Sequence, residues 1–135
     1  MAETVSYQVS AKKGKPTLFQ AKVTYTNVGS SQETTIQFPS AIGQRVWNLV
    51  SLQFNRTGGS GATYTNSIGN VAGFTTLTGD ELLLGTSTAV ATPTHDTYVS
   101  PIPMWSDSDY RLYFKPGFNT GSDNDGTAEL IFASE

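Results

Sequence analysis

The chain has 135 residues, no cysteine, one histidine and a net charge of −3. That excludes a disulfide scaffold, a cysteine-based zinc site and a thiol nucleophile, and it leaves too little imidazole for a histidine metal centre or a Ser-His triad. Charged residues are only 14% of the chain, while threonine and serine number 19 and 14, so the expected product is one domain spanning residues 1–135 with a surface of hydroxyl, amide and backbone rather than charge.

The hydrophobic period is two nearly throughout. Val5, Tyr7 and Val9 alternate with polar residues, and Phe19, Ala21, Val23 and Tyr25 repeat the pattern after Pro16. Thr34, Ile36 and Phe38 form a short strand ended by Pro39, and Ser40–Gln44 has room for one turn of helix. Val46, Asn48, Val50, Leu52 and Phe54 place one face inward, with Trp47, Leu49, Ser51 and Gln53 on the other. Asn55–Gly61 is glycine-rich and reads as a flexible hairpin tip. The stretch leading through Pro93 to Pro101 and Pro103 fits only an edge or bulged strand, because proline cannot donate to a ladder. Tyr110, Leu112 and Phe114, then Ala128, Leu130 and Phe132, supply the last two strands, with Phe118–Gly126 as a hairpin-like connection. No long helical periodicity and no internal repeat interrupts this pattern. Strands every 10–15 residues point to an all-β, antiparallel β-sandwich, jelly-roll-like in its winding.

Motifs for chemistry fail one by one. Asp123-Asn124-Asp125-Gly126 has the alternating oxygens of a calcium loop, but in the EF-hand register Gly121 and Phe132 would fall on ligand positions, and Asx turns explain the acids as well. His95 and Asp96 are adjacent, so on a strand they face opposite ways and make a poor base and orienter. Asp107, Asp109 and Glu129 are the candidates for paired carboxylates, yet the first two look like the solvated start of a strand. Gly58-Gly59-Ser60-Gly61 lacks the Lys-Ser/Thr of a phosphate loop. No cofactor and no enzymatic activity is expected.

Two surface features remain. Lys12, Lys13 and Lys15 crowd one turn, suited either to plain solvation or to an acidic partner surface. Trp105, Tyr110, Tyr113, Tyr98 and Tyr64 can be ordinary core and sheet residues, a stacking platform for sugar or bases, or together an aromatic patch at a subunit interface. Charge is also sorted along the chain. Residues 1–79 carry a net +4 and residues 80–135 a net −7, which fits either solvated faces or head-to-tail association. No basic stripe directs the chain to nucleic acid, and no apolar run approaches the ~20 residues of a membrane span. The start, Met1-Ala2-Glu3-Thr4, has no apolar leader, so the chain is expected to stay off the secretory route.

The segment Trp105-Ser-Asp-Ser-Asp-Tyr110-Arg-Leu-Tyr-Phe-Lys-Pro116, with Asn119–Gly126 and Ala128-Glu-Leu-Ile-Phe132, resembles small virion structural proteins of tailed bacteriophages, among them capsid decoration or cement proteins. The likeness is one of texture and carries over no functional residue. It implies a compact β domain made in the host cytoplasm and placed on the capsid exterior. The partners it implies are the major capsid protein or copies of the chain itself, as a homotrimer or other homo-oligomer. Lys12, Lys13, Lys15, Trp105, Tyr110 and Tyr113 are the candidate contact residues. The alternative is a carbohydrate-binding β-sandwich such as the receptor-binding part of a tail fibre, with Trp105 or Tyr113 under the sugar.

Overall fold

A computed structural model describes residues 2–59, 64–73, 82–87, 94–116, 118 and 123–134, with 2, 64–65, 82–87 and 94–100 by their backbone alone. Among the described residues nine strands are present: β1 (Ala2–Ser10), β2 (Leu18–Val28), β3 (Thr34–Gln37), β4 (Val46–Gly58), β5 (Tyr64–Gly69), β6 (Leu82–Ser87), β7 (Thr94–Trp105), β8 (Arg111–Lys115) and β9 (Asn124–Ala133). They form two antiparallel sheets, ordered β1-β2-β9-β4-β7 and β3-β8-β5-β6. The chain is an all-β sandwich. A single 3₁₀ turn, Ser40–Ile42, sits where the sequence leaves room for one, and it ends on Gly43 at φ 72°.

The period of two explains which face each strand buries. Phe19, Ala21, Val23 and Tyr25 of β2 and Ala128, Leu130 and Phe132 of β9 point into the sandwich, where Ile36, Leu112 and Phe114 meet them from the other sheet. One end of the core is an aromatic stack. Phe38 lies parallel to Trp47 (centroids 4.8 Å, 13°) and edge-on to Phe132 (5.0 Å, 85°), with Phe19 4.9 Å away. Phe118 fills the other end against Tyr25 and Phe54, at 5.6 and 5.5 Å. Such offset and edge-to-face pairs add to the burial of the rings themselves.

The strict alternation expected along β4 does not survive. Trp47 and Leu49 are buried, then Ser51 and Leu52 both are, and Phe54 continues on the even positions. A register shift between Leu49 and Ser51, present against both neighbours of β4, is the cause. One extra residue flips the parity. β4 also runs through Asn55–Gly58, which the sequence reads as loop. Neither expected hairpin forms, because β4 and β5 lie in opposite sheets, as do β8 and β9. Asn124–Gly126 already belongs to β9. Gly126 is required there: a Cβ on it would stand 2.8 Å from the Asn55 carbonyl oxygen, closer than side chains pack. The prolines meet their expectation, since Pro101 and Pro103 lie on β7, an edge strand.

β1 closes one side of the sandwich through polar side chains. Tyr7 donates its hydroxyl to the Thr35 carbonyl (3.2 Å) and accepts the Gln37 amide (3.0 Å), so it occupies the open edge of β3. Further along, Glu3 accepts from Thr34, whose Oγ1 is 2.6 Å from the buried Tyr25 hydroxyl. A carboxylate can only accept, so Thr34 donates to Glu3 and Tyr25 donates to Thr34. Burial holds the Tyr25 hydroxyl far above the ordinary phenol value. The Thr34 bond opposes that shift and the Glu3 charge adds to it.

Phe38→Ala is expected to cost about 3–5 kcal/mol, the range for emptying a buried aromatic site, while Ile42→Ala at an exposed position should stay within about 0.5 kcal/mol. Gly126→Ala should destabilise despite adding apolar surface. Urea denaturation of the three variants checks all of this.

Candidate functional site

The three lysines sit on the connection from β1 to β2. The Lys15 amide bonds the Lys12 carbonyl at 3.0 Å, and Gly14 has φ 78° at the third position, a tight turn that needs a left-handed residue there. Lys12, Lys13 and Lys15 are all exposed. Lys12 and Lys15, with Pro16, Leu18 and Ala133, border a groove of about 400 Å³.

That groove begins a row across the outer face of the five-stranded sheet. Register pairs Leu18 with Ala133, Ala133 with Asn48 and Asn48 with Pro103, and Val46 with Trp105 one step further along. Directly paired residues share a face, so Leu18, Ala133, Pro103, Val46 and Trp105 lie on the same surface. Leu18 and Trp105 are 45% and 63% exposed. The sequence reads Trp47 and Trp105 alike as core candidates, yet only Trp47 is buried. Beside Trp105, a pocket of about 160 Å³ is bordered by Asn70, Pro103, Met104 and Leu112. The Oδ1 atom of Asn70 is buried and has no hydrogen-bond partner.

The other two sequence candidates lie elsewhere. Tyr113 belongs to β8 and is 7% exposed, so little of its ring is presented to a partner or sugar. Its hydroxyl instead donates to Asp107 at 2.8 Å. The other oxygen of Asp107 accepts the amides of Asp109 and Arg111, both at 2.9 Å. Partial burial alone would push the Asp107 carboxyl up. The Tyr113 hydroxyl, the two amides and the Arg111 charge outweigh burial and hold it below its ordinary value. Burial and the same contact with Asp107 push the Tyr113 hydroxyl up. The acids read as the solvated start of a strand are thus a knot that shapes the turn from β7 to β8. Arg45 fastens its near side, donating through Nη2 to the Ser106 carbonyl at 2.9 Å.

Tyr110 closes the turn just before β8 begins. Its φ is 62°, a left-handed conformation unusual for a bulky residue. The Phe38 amide bonds its carbonyl at 2.9 Å, and Gln37 Nε2 reaches the carbonyls of Asp109 and Tyr110 at 2.9 and 3.3 Å. Between this turn, β1 and the end of β3 lies a cleft of about 750 Å³. Tyr7, Val9 and Tyr110 supply its apolar wall, and Ser40, Ser108 and Asp109 are among its polar groups.

The sorting of charge along the chain does not become two charged halves. The antiparallel β2–β9 pair sets Lys22 opposite Glu129, with Nζ and Oε1 3.7 Å apart. In the acidic segment, Asp125 accepts the Asn27 amide at 2.9 Å and Asn124 donates to the Val28 carbonyl at 3.0 Å, where β2 bulges with Asn27 at φ 53°. Among the described residues no three His, Cys, Asp or Glu side chains converge to hold a metal. His95 and Asp96 pair with Gln53 and Leu52 on β7, but their side chains, like those of Tyr64 and Tyr98, lie outside the described ones. Gly61 and Asn119–Ser122 lie outside the described residues altogether.

Sequence reasoning missed Tyr7 and Asn70 as site residues. Tyr7 carries a faint signal, an aromatic on a strand otherwise short of large side chains. Asn70 carries none.

Because the folded Asp107 carboxyl lies below its ordinary 3.8, the stability it lends is complete above that value and is lost as pH falls through the lower folded value. Asp107→Asn is expected to cost about 1 kcal/mol at pH 7, the worth of partly solvated charge-assisted hydrogen bonds, and progressively less as the pH falls below about 4. Denaturation curves at pH 7 and at acid pH check the difference.

No protein-family model matches the sequence, and no curated protein matches it.

Proposed function

We propose that this chain is a non-enzymatic structural protein of a virion, a capsid decoration or cement subunit that binds the shell of a major capsid protein. The strand order supports a jelly roll. β2-β9-β4-β7 faces β3-β8-β5-β6, every connection after β2 except β5 to β6 passes between the sheets, and β1 is an extra strand at the edge. Jelly rolls serve as capsid and lectin domains.

The observation that carries the reading is the outer row from Leu18 to Trp105. It is a largely apolar strip, interrupted by Asn48, on a sheet face that also carries the amide of Gln20, the hydroxyls of Thr24 and Thr127 and the ion pair Lys22–Glu129. The neutral groups among these cost less to desolvate than charges. Exposed tryptophans set among near-neutral polar groups are frequent anchors of interfaces. Lys12 and Lys15 at one end of the row fit an acidic surface on the shell.

The chain is expected to co-sediment with capsids of the virus that encodes it and to raise their melting temperature. Trp105→Ala with Leu18→Ser, both at exposed positions, should weaken that binding by about 2 kcal/mol or more, the threshold of an interface hot spot, with the isolated chain's own melting temperature little changed. Absence of the chain from purified particles by mass spectrometry, or equal binding by the double variant, would reject the proposal.

A further inference from the structure

We propose that the cleft between β1, the end of β3 and the β7–β8 turn binds a neutral saccharide. This inference stands apart from shell binding and uses a different surface.

The cleft's charge selects the ligand. Asp109 Oδ2 and Arg111 Nη2 on its border are 2.7 Å apart, so the two formal charges cancel. Anionic groups meet the carboxylate, cationic groups meet the guanidinium, and neither gains a clear advantage. A carboxylate beside a guanidinium does suit hydroxyl pairs, which donate to one and accept from the other. Ser40 and Ser108 add hydroxyls of both characters.

The apolar wall is already in place for a sugar's C–H face. Tyr7 is 42% exposed, rests on Phe19 at 5.1 Å, and has its hydroxyl tied to both Thr35 and Gln37. Its ring therefore has no freedom left to lose when a ligand arrives, which is the way rigid aromatics gain affinity. The opposite wall is held just as firmly. Gln37 spends its amide on the carbonyls of Phe38, Asp109 and Tyr110, and these bonds keep Tyr110 at its left-handed φ. Backbone strain of that kind collects at ligand clamps. The volume lies within the range of small-molecule sites.

The site binds and does not hydrolyse. Glycoside cleavage needs a second carboxyl able to give up a proton. The other carboxylate of the turn, Asp107, has both oxygens committed to three donors within the protein.

The test applies the full chain to an array of neutral oligosaccharides built from glucose, galactose, mannose and N-acetylglucosamine, with sialylated and sulfated oligosaccharides as controls. Titration with the best retained neutral member follows. Asp109→Ala should weaken binding at least about tenfold, as expected for loss of a hydrogen bond to a charged group. Ser40→Trp, an exposed position at the rim, should abolish it by filling the cleft, and Trp105→Ala should leave it unchanged. All three variants should melt within about 2 °C of the parent, as surface changes do. Retention of no neutral saccharide, retention of charged ones alone, equal binding by Asp109→Ala and Ser40→Trp, or loss of binding in Trp105→Ala would each overturn the proposal. None of these outcomes bears on co-sedimentation with capsids.

Discussion

The larger sheet depends on its last strand. β9 has β2 on one side and β4 on the other, and it alternates without a break between buried and half-buried residues from Asn124 to Ala133. Without it, the β1–β2 pair has no link within the sheet to the β4–β7 pair, and Leu130 and Phe132 are missing from the core. The contacts it makes join Phe19 to Phe132 and Leu18 to Ala133, residues near opposite ends of the chain. Pairings of such long sequence separation are slow to find because loop closure comes before any reward.

That dependence explains which parts of the fold were legible in the sequence. The alternation of β2 and β9 reads directly, because each is uninterrupted where it faces the core. The short turn at Ser40–Ile42 and the edge position of Pro101 and Pro103 follow from local sterics. β4 differs from its reading in the first half, where Trp47 and Leu49 rather than Val46, Asn48 and Val50 are buried, since a bulge is one uncounted residue and the sequence carries no mark of where it falls. β5 and β6 were not recognised as strands: Tyr64–Gly69 offers little alternation, and Leu82-Leu83-Leu84 reads only as an apolar run. The connections around Gly58 and Phe118 looked like hairpins because turn residues announce a change of direction and say nothing about which sheet the next strand joins.

The functional surfaces were legible in proportion to how local they are. The lysine turn is a sequence feature and stands where it was expected. Trp105 is not distinguished from Trp47 by its neighbours in sequence. What exposes it is its pairing with Val46 on the outer face of an edge strand. Tyr113 alternates with Leu112 and Phe114 and so reads as outward, but Asp107 draws its hydroxyl in and the ring is buried. The cleft draws on three segments far apart in the chain: Gln37 and Phe38 tie the end of β3 to the β7–β8 turn, and Tyr7 ties β1 to β3. The charge asymmetry, plain in the sequence, is bridged where the second and last strands become neighbours and Lys22 faces Glu129.

The edges of the two sheets are treated unequally. Tyr7 occupies the open side of β3, and prolines remove donors from β7. β1 has no proline and no lysine along its nine residues, so its outer backbone groups remain available to pair. The two margins of the larger sheet thus differ in kind: β1 presents an unbroken row of backbone donors and acceptors, whereas on β7 the row lacks a donor at Pro101 and at Pro103.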